Sequence, residues 1–187
     1  MQLTKAAVYK SYGPPEILKI EEVEQPSIQD GQDDRVLIKV HSASVNPYDY
    51  LFRKGFLPTR SENGFIKPKE QILGIDVAGT IEAVGKNVTR FKIGDHIFGS
   101  CVGSHAEYVR VRQSAISMMP KNSTFQEAAT IPTAALTALQ ALSGFSCSQT
   151  ETTPAHTPLM QTVGRSDLNL FKEQKYTQPS EHSSYVT

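Results

Sequence analysis

Short runs of alternating apolar and polar residues recur between residues 4 and 111, and glycine or proline closes most of them. Alternation with period two places apolar side chains on one face of a strand, and β-branched residues favour that conformation. The pattern predicts strands at residues 4–9, 18–23, 35–44, 74–84, 96–98 and 105–111. Short strands joined by Gly- and Pro-rich turns are typical of a small barrel or sandwich.

A different pattern begins at Thr124, where Ala and Leu recur at helical spacing. Helices are predicted at residues 125–129 and 133–142, divided by Pro132, and Thr124 with Glu127 has the spacing of a capping box. A shorter helix is predicted at residues 48–54, and the polar residues 58–69 are predicted to form an exposed loop.

The last part of the chain has a low-complexity bias, since Ser, Thr, Gln and Pro make up roughly half of residues 143–187. Its sparse apolar residues bury too little area to offset the entropy lost on ordering. The predicted fold is therefore mainly β with flanking α: a partly open barrel at residues 1–123, two short helices at 124–142 and a disordered tail at 143–187.

Composition narrows the functional classes. The 19 Lys and Arg residues balance the 19 Asp and Glu residues, which argues against a nucleic-acid binder and a polybasic membrane binder. No run approaches the ~20 apolar residues of a membrane span, and no signal-peptide core follows the N-terminus. Two cysteines, Cys101 and Cys147, form no disulfide framework. We expect a cytoplasmic protein with reduced thiols.

The most specific motif spans residues 73–99 and reads LGIDVAGTIEAVGKNVTRFKIGDHIFG. It resembles the glycine-punctuated signature of the medium-chain dehydrogenase/reductase superfamily, whose N-terminal domain has a GroES-like fold. Residues 6–18, 36–49 and 127–138 resemble other parts of the same domain, so the resemblance covers about residues 4–142. It is closest to the zinc-free quinone oxidoreductase, or zeta-crystallin-like, branch.

The resemblance implies a reductase that works without zinc. Zinc alcohol dehydrogenases place a Cys where Asn46 stands and a His where Ile75 stands, and neither replacement supplies a zinc ligand. Hydride transfer to a quinone or enone carbonyl would then use a nicotinamide, expected to be NADPH. By resemblance, Asn46 faces the nicotinamide and the substrate, and its amide can donate to the carbonyl oxygen in place of the metal.

The resemblance also places Asp49, Arg53 and Thr137 near the cofactor. Each has an alternative role in the fold: Asp49 as a helix cap, Arg53 as the partner of an acid, and Thr137 as a hydroxyl bonded to its own helix. Asp76, which stands where zinc relatives place a carboxylate, is interpreted as structural. Tyr50 is expected near the mouth of the pocket.

Three histidines, His41, His96 and His105, lie on separate strands without paired spacing, so we expect them to be hydrogen-bonded or exposed rather than metal-ligating.

The glycine-rich turn that binds a dinucleotide pyrophosphate, Gly-x-Gly-x-x-Gly, does not occur in the sequence, and no strand–helix alternation follows residue 142. We therefore expect a chain that stops before the cofactor domain, through a frameshift, a truncation or an alternative transcript. Such a chain is predicted to bind NADPH weakly and to be inactive by itself. The alternative is a non-enzymatic binding module that associates with a full-length relative.

Overall fold

The computed structural model describes residues 2–28, 33–69 and 71–144 of the 187-residue chain. This part is built mainly from strands with a few short helices, and its sheets are open, which confirms the predicted fold class. The predicted disordered tail lies outside the described residues, except for Ser143 and Gly144, which belong to the last helix.

Five antiparallel strands form the main sheet, in the order β6-β3-β4-β5-β7. A separate antiparallel pair, β1 with β2, lies beside it. The strand bounds are β1 (Leu3–Val8), β2 (Lys19–Glu24), β3 (Arg35–Ser42), β4 (Asp76–Val84), β5 (His96–Ser100), β6 (Tyr108–Arg112) and β7 (Ile116–Met118).

The principal core lies on one face of the main sheet. Its central side chains are fully or almost fully buried, and each such burial stabilises the fold by about 1.5–3 kcal/mol. They come from the alternate, inward-facing positions of β3, β4 and β5: Val36, Ile38, Val77, Ile81 and Ile97. The opposite face is covered by a smaller cluster in which Ala128 and Ala129 pack on Ala78 and Phe98.

In the described ranges, four α-helices accompany the sheets: α1 (Pro47–Lys54), α2 (Leu57–Asn63), α3 (Phe125–Ala129) and α4 (Pro132–Gly144). The helix α3 begins at the predicted capping box, in which Glu127 N–H donates to the Thr124 hydroxyl and Thr124 N–H donates to the Glu127 carboxylate. Helix α1 ends where Gly55 adopts a left-handed conformation, as the sequence predicts.

Two predictions from the pattern were wrong or incomplete. Residues 58–69 were predicted as a loop, but helix α2 begins at Leu57 and ends at Asn63. Its buried positions are polar, so hydrophobic periodicity gives no sign of it: the Thr59 hydroxyl donates to the Phe56 carbonyl, and the Asn63 amide donates to the Tyr9 hydroxyl over 2.8 Å. Strand β7 was not predicted because it is only three residues long.

The segment from 55 to 69, which we call the α2 lobe, is fastened by polar contacts. The Arg60 guanidinium donates to the carbonyl oxygens of Gly55 and Phe65 and lies 4.7 Å from the centre of the Tyr12 ring. The lobe exposes four large apolar side chains to the surface, which are those of Phe56, Leu57, Phe65 and Ile66.

The N-terminal strand β1 is held to the main sheet by residues 105–107. Ala7 N–H donates to the His105 carbonyl, and Glu107 N–H donates to the Lys5 carbonyl. The Glu107 carboxylate accepts from Lys5 N–H at 2.8 Å and from the Thr4 hydroxyl at 2.9 Å, and these bonds lower the pKa of Glu107. The charge on Glu107 therefore supports the attachment of β1.

Replacing Gly74 by Ala should destabilise the protein far more than replacing Gly94. Both glycines have positive φ, at 101° and 88°, which costs an alanine about 1–2 kcal/mol. A Cβ at Gly94 meets no atom within 4 Å, whereas one at Gly74 overlaps the Ser104 hydroxyl and lies 2.8 Å from the backbone nitrogen of His105. Urea unfolding should show a loss of about 2–5 kcal/mol for Gly74→Ala. Equal losses in the two variants would contradict the packing at Gly74.

Glu107→Gln should lower stability at neutral pH but not in acid. Because the folded-state pKa of Glu107 lies below its ordinary value of 4.5, its ionised form stabilises the fold above that pH, and the effect is lost as the pH falls through the folded-state pKa. Thermal melts of the two proteins should differ at pH 7 and converge in the acid range. Glu24→Gln, on the exposed edge of β2, controls for the loss of one charge.

Candidate functional site

The site is built around the connection between β3 and α1. Asn46 is the residue before the first turn of α1 and has extended backbone angles, while Pro47 fits the first helical position because it needs no N–H partner there. The Asn46 N–H donates to the Asp49 carboxylate over 2.8 Å. This local sequence therefore begins a helix directly at the site.

Asp49 is buried, and both of its carboxylate oxygens have partners inside the fold. One oxygen accepts from Asn46 N–H, and the other accepts from Gly74 N–H over 2.9 Å. The helix-capping role that the sequence allowed is thus present, and it also ties α1 to the loop before β4. Its predicted contact with a cofactor stays a prediction.

Asp76, the first residue of β4, is 1% exposed and receives four donors. Its Oδ2 accepts from the Ser44 hydroxyl at 2.8 Å and from Asn46 Nδ2 at 3.0 Å. Its Oδ1 accepts from the Thr133 hydroxyl at 2.7 Å and the Thr133 N–H at 3.1 Å. One carboxylate therefore joins the β3–α1 connection to the first turn of α4, where an anion is also favoured by the helix dipole.

Asn46 is half-buried at the edge of this network. Besides the Asp76 contact, its Nδ2 donates to the Ser44 Oγ over 2.8 Å. An amide nitrogen must face Asp76, since a carboxylate can only accept hydrogen bonds. The chemistry of Asp76 thus fixes which end of the Asn46 amide points inward.

Thr137 lies on α4 one helical turn after Thr133, a rise of about 6 Å along the axis. Its side chain is exposed, and its hydroxyl donates to the Thr133 carbonyl over 2.7 Å, which is the alternative role that the sequence allowed. Asn46 and Thr137 are therefore connected through Thr133 and Asp76.

Arg53 and Tyr50, the other predicted site residues, have contacts elsewhere and not with Asp76. Arg53 is buried and donates to the Gly13 carbonyl, while Gly13 N–H donates back to the Arg53 carbonyl, so its partner is backbone and not an acid. Tyr50 is 45% exposed, with the Lys54 ammonium 5.6 Å from the centre of its ring. No contact in the described part of the chain brings Arg53 into the network around Asp76.

The three histidines have separate surroundings. His41 stacks on Phe125 with ring centres 4.3 Å apart and contacts the Thr80 hydroxyl, and the His96 ring is tilted against the same Phe125 ring with centres 5.0 Å apart. His105 contacts the Ser44 carbonyl at 3.2 Å. Among the described residues, no group of three His, Cys, Asp or Glu side chains could hold a metal ion.

The thiol of Cys101 is buried near Asp76 and Asp49. Burial is the main cause that raises the pKa of Cys101 to about 12, and the charges of the two aspartates contribute to the rise. Such a thiol stays protonated at neutral pH, so it is a poor nucleophile.

Two residues of the network, Ser44 and Thr133, were missed by the sequence analysis. Asp76, interpreted from the sequence as structural, is buried and hydrogen-bonded within the fold, and the sequence did not reveal its partners. A Pro-Thr pair at the start of a helix offers a weak signal for Thr133, because an exposed N–H and a hydroxyl in the first turn need an acceptor.

Comparison with known proteins agrees with the fold and with the glycine motif. Residues 32–141 match the family model of the alcohol dehydrogenase GroES-like domain. The chain is 41% identical over 112 residues to "NAD(P)H oxidoreductase RTN4IP1, mitochondrial" of Dictyostelium discoideum, which covers 58% of the chain. It is 37% identical over 155 residues to the 2-methylene-furan-3-one reductase of Solanum lycopersicum, which covers 76% of the chain.

Among solved structures, the quinone oxidoreductase from Coxiella burnetii superposes with a TM-score of 0.66 at 34% identity, over 76% of the chain. The chain belongs to the alcohol dehydrogenase GroES-like domain family, and the proteins that it matches include quinone oxidoreductases.

The match covers only part of each relative. The chain spans 31% of the Dictyostelium protein, 38% of the tomato protein and 45% of the Coxiella structure. In the described residues, no helix has the length and apolar character needed to span a membrane.

Proposed function

We propose that this chain carries the substrate-facing part of a zinc-independent NAD(P)H-dependent reductase that acts on a quinone or an enone carbonyl. The observation that carries the proposal is Asn46, an amide held by Asp76 at the position where zinc relatives have a cysteine ligand. The names of its relatives, an NAD(P)H oxidoreductase, an enone reductase and a quinone oxidoreductase, support the same chemistry.

The residues present fit a nicotinamide better than a zinc ion. Asn46 and Ile75 stand where zinc relatives have two ligands, and neither side chain is of a type that ligates zinc. Asn46 and the exposed Thr137 offer polar side chains on the β3–α1 connection and on α4, which suits a planar amide-bearing ring. When bound, a nicotinamide supplies the hydride.

In this proposal Asn46 acts as the electrophilic group. Its amide donates to the carbonyl oxygen of the substrate, where negative charge develops as the hydride arrives at carbon. Thr137 contributes a hydroxyl on the cofactor side of the site. Asp49 and Arg53 act less directly, by holding α1 against the loops at Gly74 and Gly13.

We further propose that this chain by itself binds NADPH weakly and has no measurable reductase activity, because the family's cofactor contacts come mainly from a dinucleotide-binding domain. Fluorescence titration of the full chain should show no NADPH binding in the micromolar range. Micromolar binding would overturn this part of the proposal.

A chimera tests the catalytic role. Residues 1–141 should replace the matched part of the Coxiella quinone oxidoreductase, and the product should reduce quinones with NADPH, with no loss of activity in a zinc chelator. Asn46→Ala should then lower kcat/KM by roughly 10²–10³, the effect of removing one oxyanion donor.

Asn87→Ala is the matched control, because Asn87 is exposed in a turn far along the chain from Asn46. A folded chimera that binds NADPH but reduces neither quinones nor enones would refute the proposed activity. Equal activity of Asn46→Ala and Asn87→Ala would refute the role of Asn46.

The surface of α4 favours a second candidate function, that of a non-enzymatic module associating with a full-length relative. The helix has no charged residue, and Ala134, Thr137, Ala138 and Ala141 are exposed on it. Immobilised chain should capture a full-length quinone oxidoreductase of the same branch, and Ala138→Lys should abolish capture. Gln126→Lys on α3 is the control, and equal capture by both variants would exclude α4 as the contact.

A further inference from the structure

The three polar groups around Asn46 form a nearly equilateral triangle. The distances are 2.8 Å from Asn46 Nδ2 to Ser44 Oγ, 3.0 Å from Nδ2 to Asp76 Oδ2, and 2.8 Å from Ser44 Oγ to Asp76 Oδ2. These three sides give an angle of about 60° at Nδ2 between the directions to the two acceptors.

The two N–H bonds of a planar amide group diverge by about 120°. Two acceptors separated by half that angle cannot each receive a well-aligned hydrogen, because a hydrogen bond weakens steeply away from linearity. One arrangement that serves both acceptors places a single hydrogen between Ser44 and Asp76 as a shared, three-centre bond, about 30° from each N···O direction. The second hydrogen of the Asn46 amide then points away from both of them.

We propose that Asp76 is a positioning residue, which takes one hydrogen of the Asn46 amide together with Ser44 and so leaves the other hydrogen directed at the carbonyl oxygen of a ligand. The ligand part rests on the function proposed above. The division of labour between the two hydrogens is a property of the chain by itself and is tested without a ligand.

Asp76 suits this role because hydrogen bonds to its other oxygen, Oδ1, fix the orientation of its carboxylate. Thr133 donates to Oδ1 twice, through its hydroxyl and its N–H, so the carboxylate cannot turn without breaking two bonds. Ser44 donates to Oδ2 while it accepts from Asn46, which keeps the acceptor pair in place. The amide of Asn46 is thus oriented by an anion that α4 holds still.

Nuclear magnetic resonance of the full chain tests this without any ligand. The two Nδ2 hydrogens of Asn46 give separate signals, and their exchange with water can be compared on a timescale shorter than rotation about the amide bond. The hydrogen shared by Asp76 and Ser44 should exchange about tenfold more slowly than the outward one, as expected for a bond to a charged acceptor. Equal exchange rates in the wild-type chain would overturn the proposal.

Three variants identify the responsible group. Ser44→Ala should keep the difference between the two hydrogens, because Asp76 still accepts one of them. Asp76→Asn should abolish it, because Thr133 requires an oxygen on its side and the new amide nitrogen then faces Asn46. Glu82→Gln is the charge-matched control on the same strand and should behave as the wild type.

If the two exchange rates become equal in Ser44→Ala, or stay different in a folded Asp76→Asn, then a group other than Asp76 orients the Asn46 amide. If Asp76→Asn does not fold, the wild-type and Ser44→Ala measurements still decide the matter. Failure of the proposed reductase activity would appear in the chimera and would leave these exchange rates unchanged, so the two outcomes are distinguishable.

Discussion

Four hydrogen-bond donors converge on the buried carboxylate of Asp76, and the site depends on that convergence. Removing a carboxylate from water costs several kcal/mol, and bonds from well-placed donors offset the cost at about 1.5–3 kcal/mol each. The donors come from the β3–α1 connection and from the start of α4, so the same group that orients the site also joins two distant parts of the chain.

This arrangement explains how a domain without zinc ligands at Asn46 and Ile75 keeps an ordered site. In a metal site the ion itself holds the surrounding side chains in place. Here the Asp76 carboxylate holds the Asn46 side chain in place. Because a carboxylate only accepts hydrogen bonds, the Asn46 amide must turn its NH₂ end, and not its oxygen, toward Asp76. The buried Cys101 thiol near this carboxylate is uncharged at neutral pH.

The sequence predicted the fold class and most strands, because β3, β4 and β5 alternate apolar residues around a single core. It also located α1, α3 and α4 through caps and periodicity. It failed at α2, whose buried positions are Thr59 and Asn63, since a helix held by hydrogen bonds has no apolar stripe to detect.

Within the site, the sequence selected Asn46 and Asp76 as positions of interest but could not connect them. Ser44, Asp76 and Thr133 are up to 89 residues apart along the chain and meet only through the sheet and the packing of α3 and α4 against it. Asp49 and Arg53 were predicted near a cofactor, and the structure also gives them partners far along the chain, Gly74 and Gly13, that no local pattern could reveal.

In the α2 lobe, the groups that attach it to the rest of the fold differ from those that it exposes at the surface. Arg60, Tyr12 and the Asn63–Tyr9 bond secure its backbone, whereas Phe56, Leu57, Phe65 and Ile66 point outward and contribute little to that attachment. The side chains of Phe56, Leu57, Phe65 and Ile66 can therefore be replaced without removing any of the hydrogen bonds that attach the lobe. The composition of this surface and the attachment of the lobe are set by different residues.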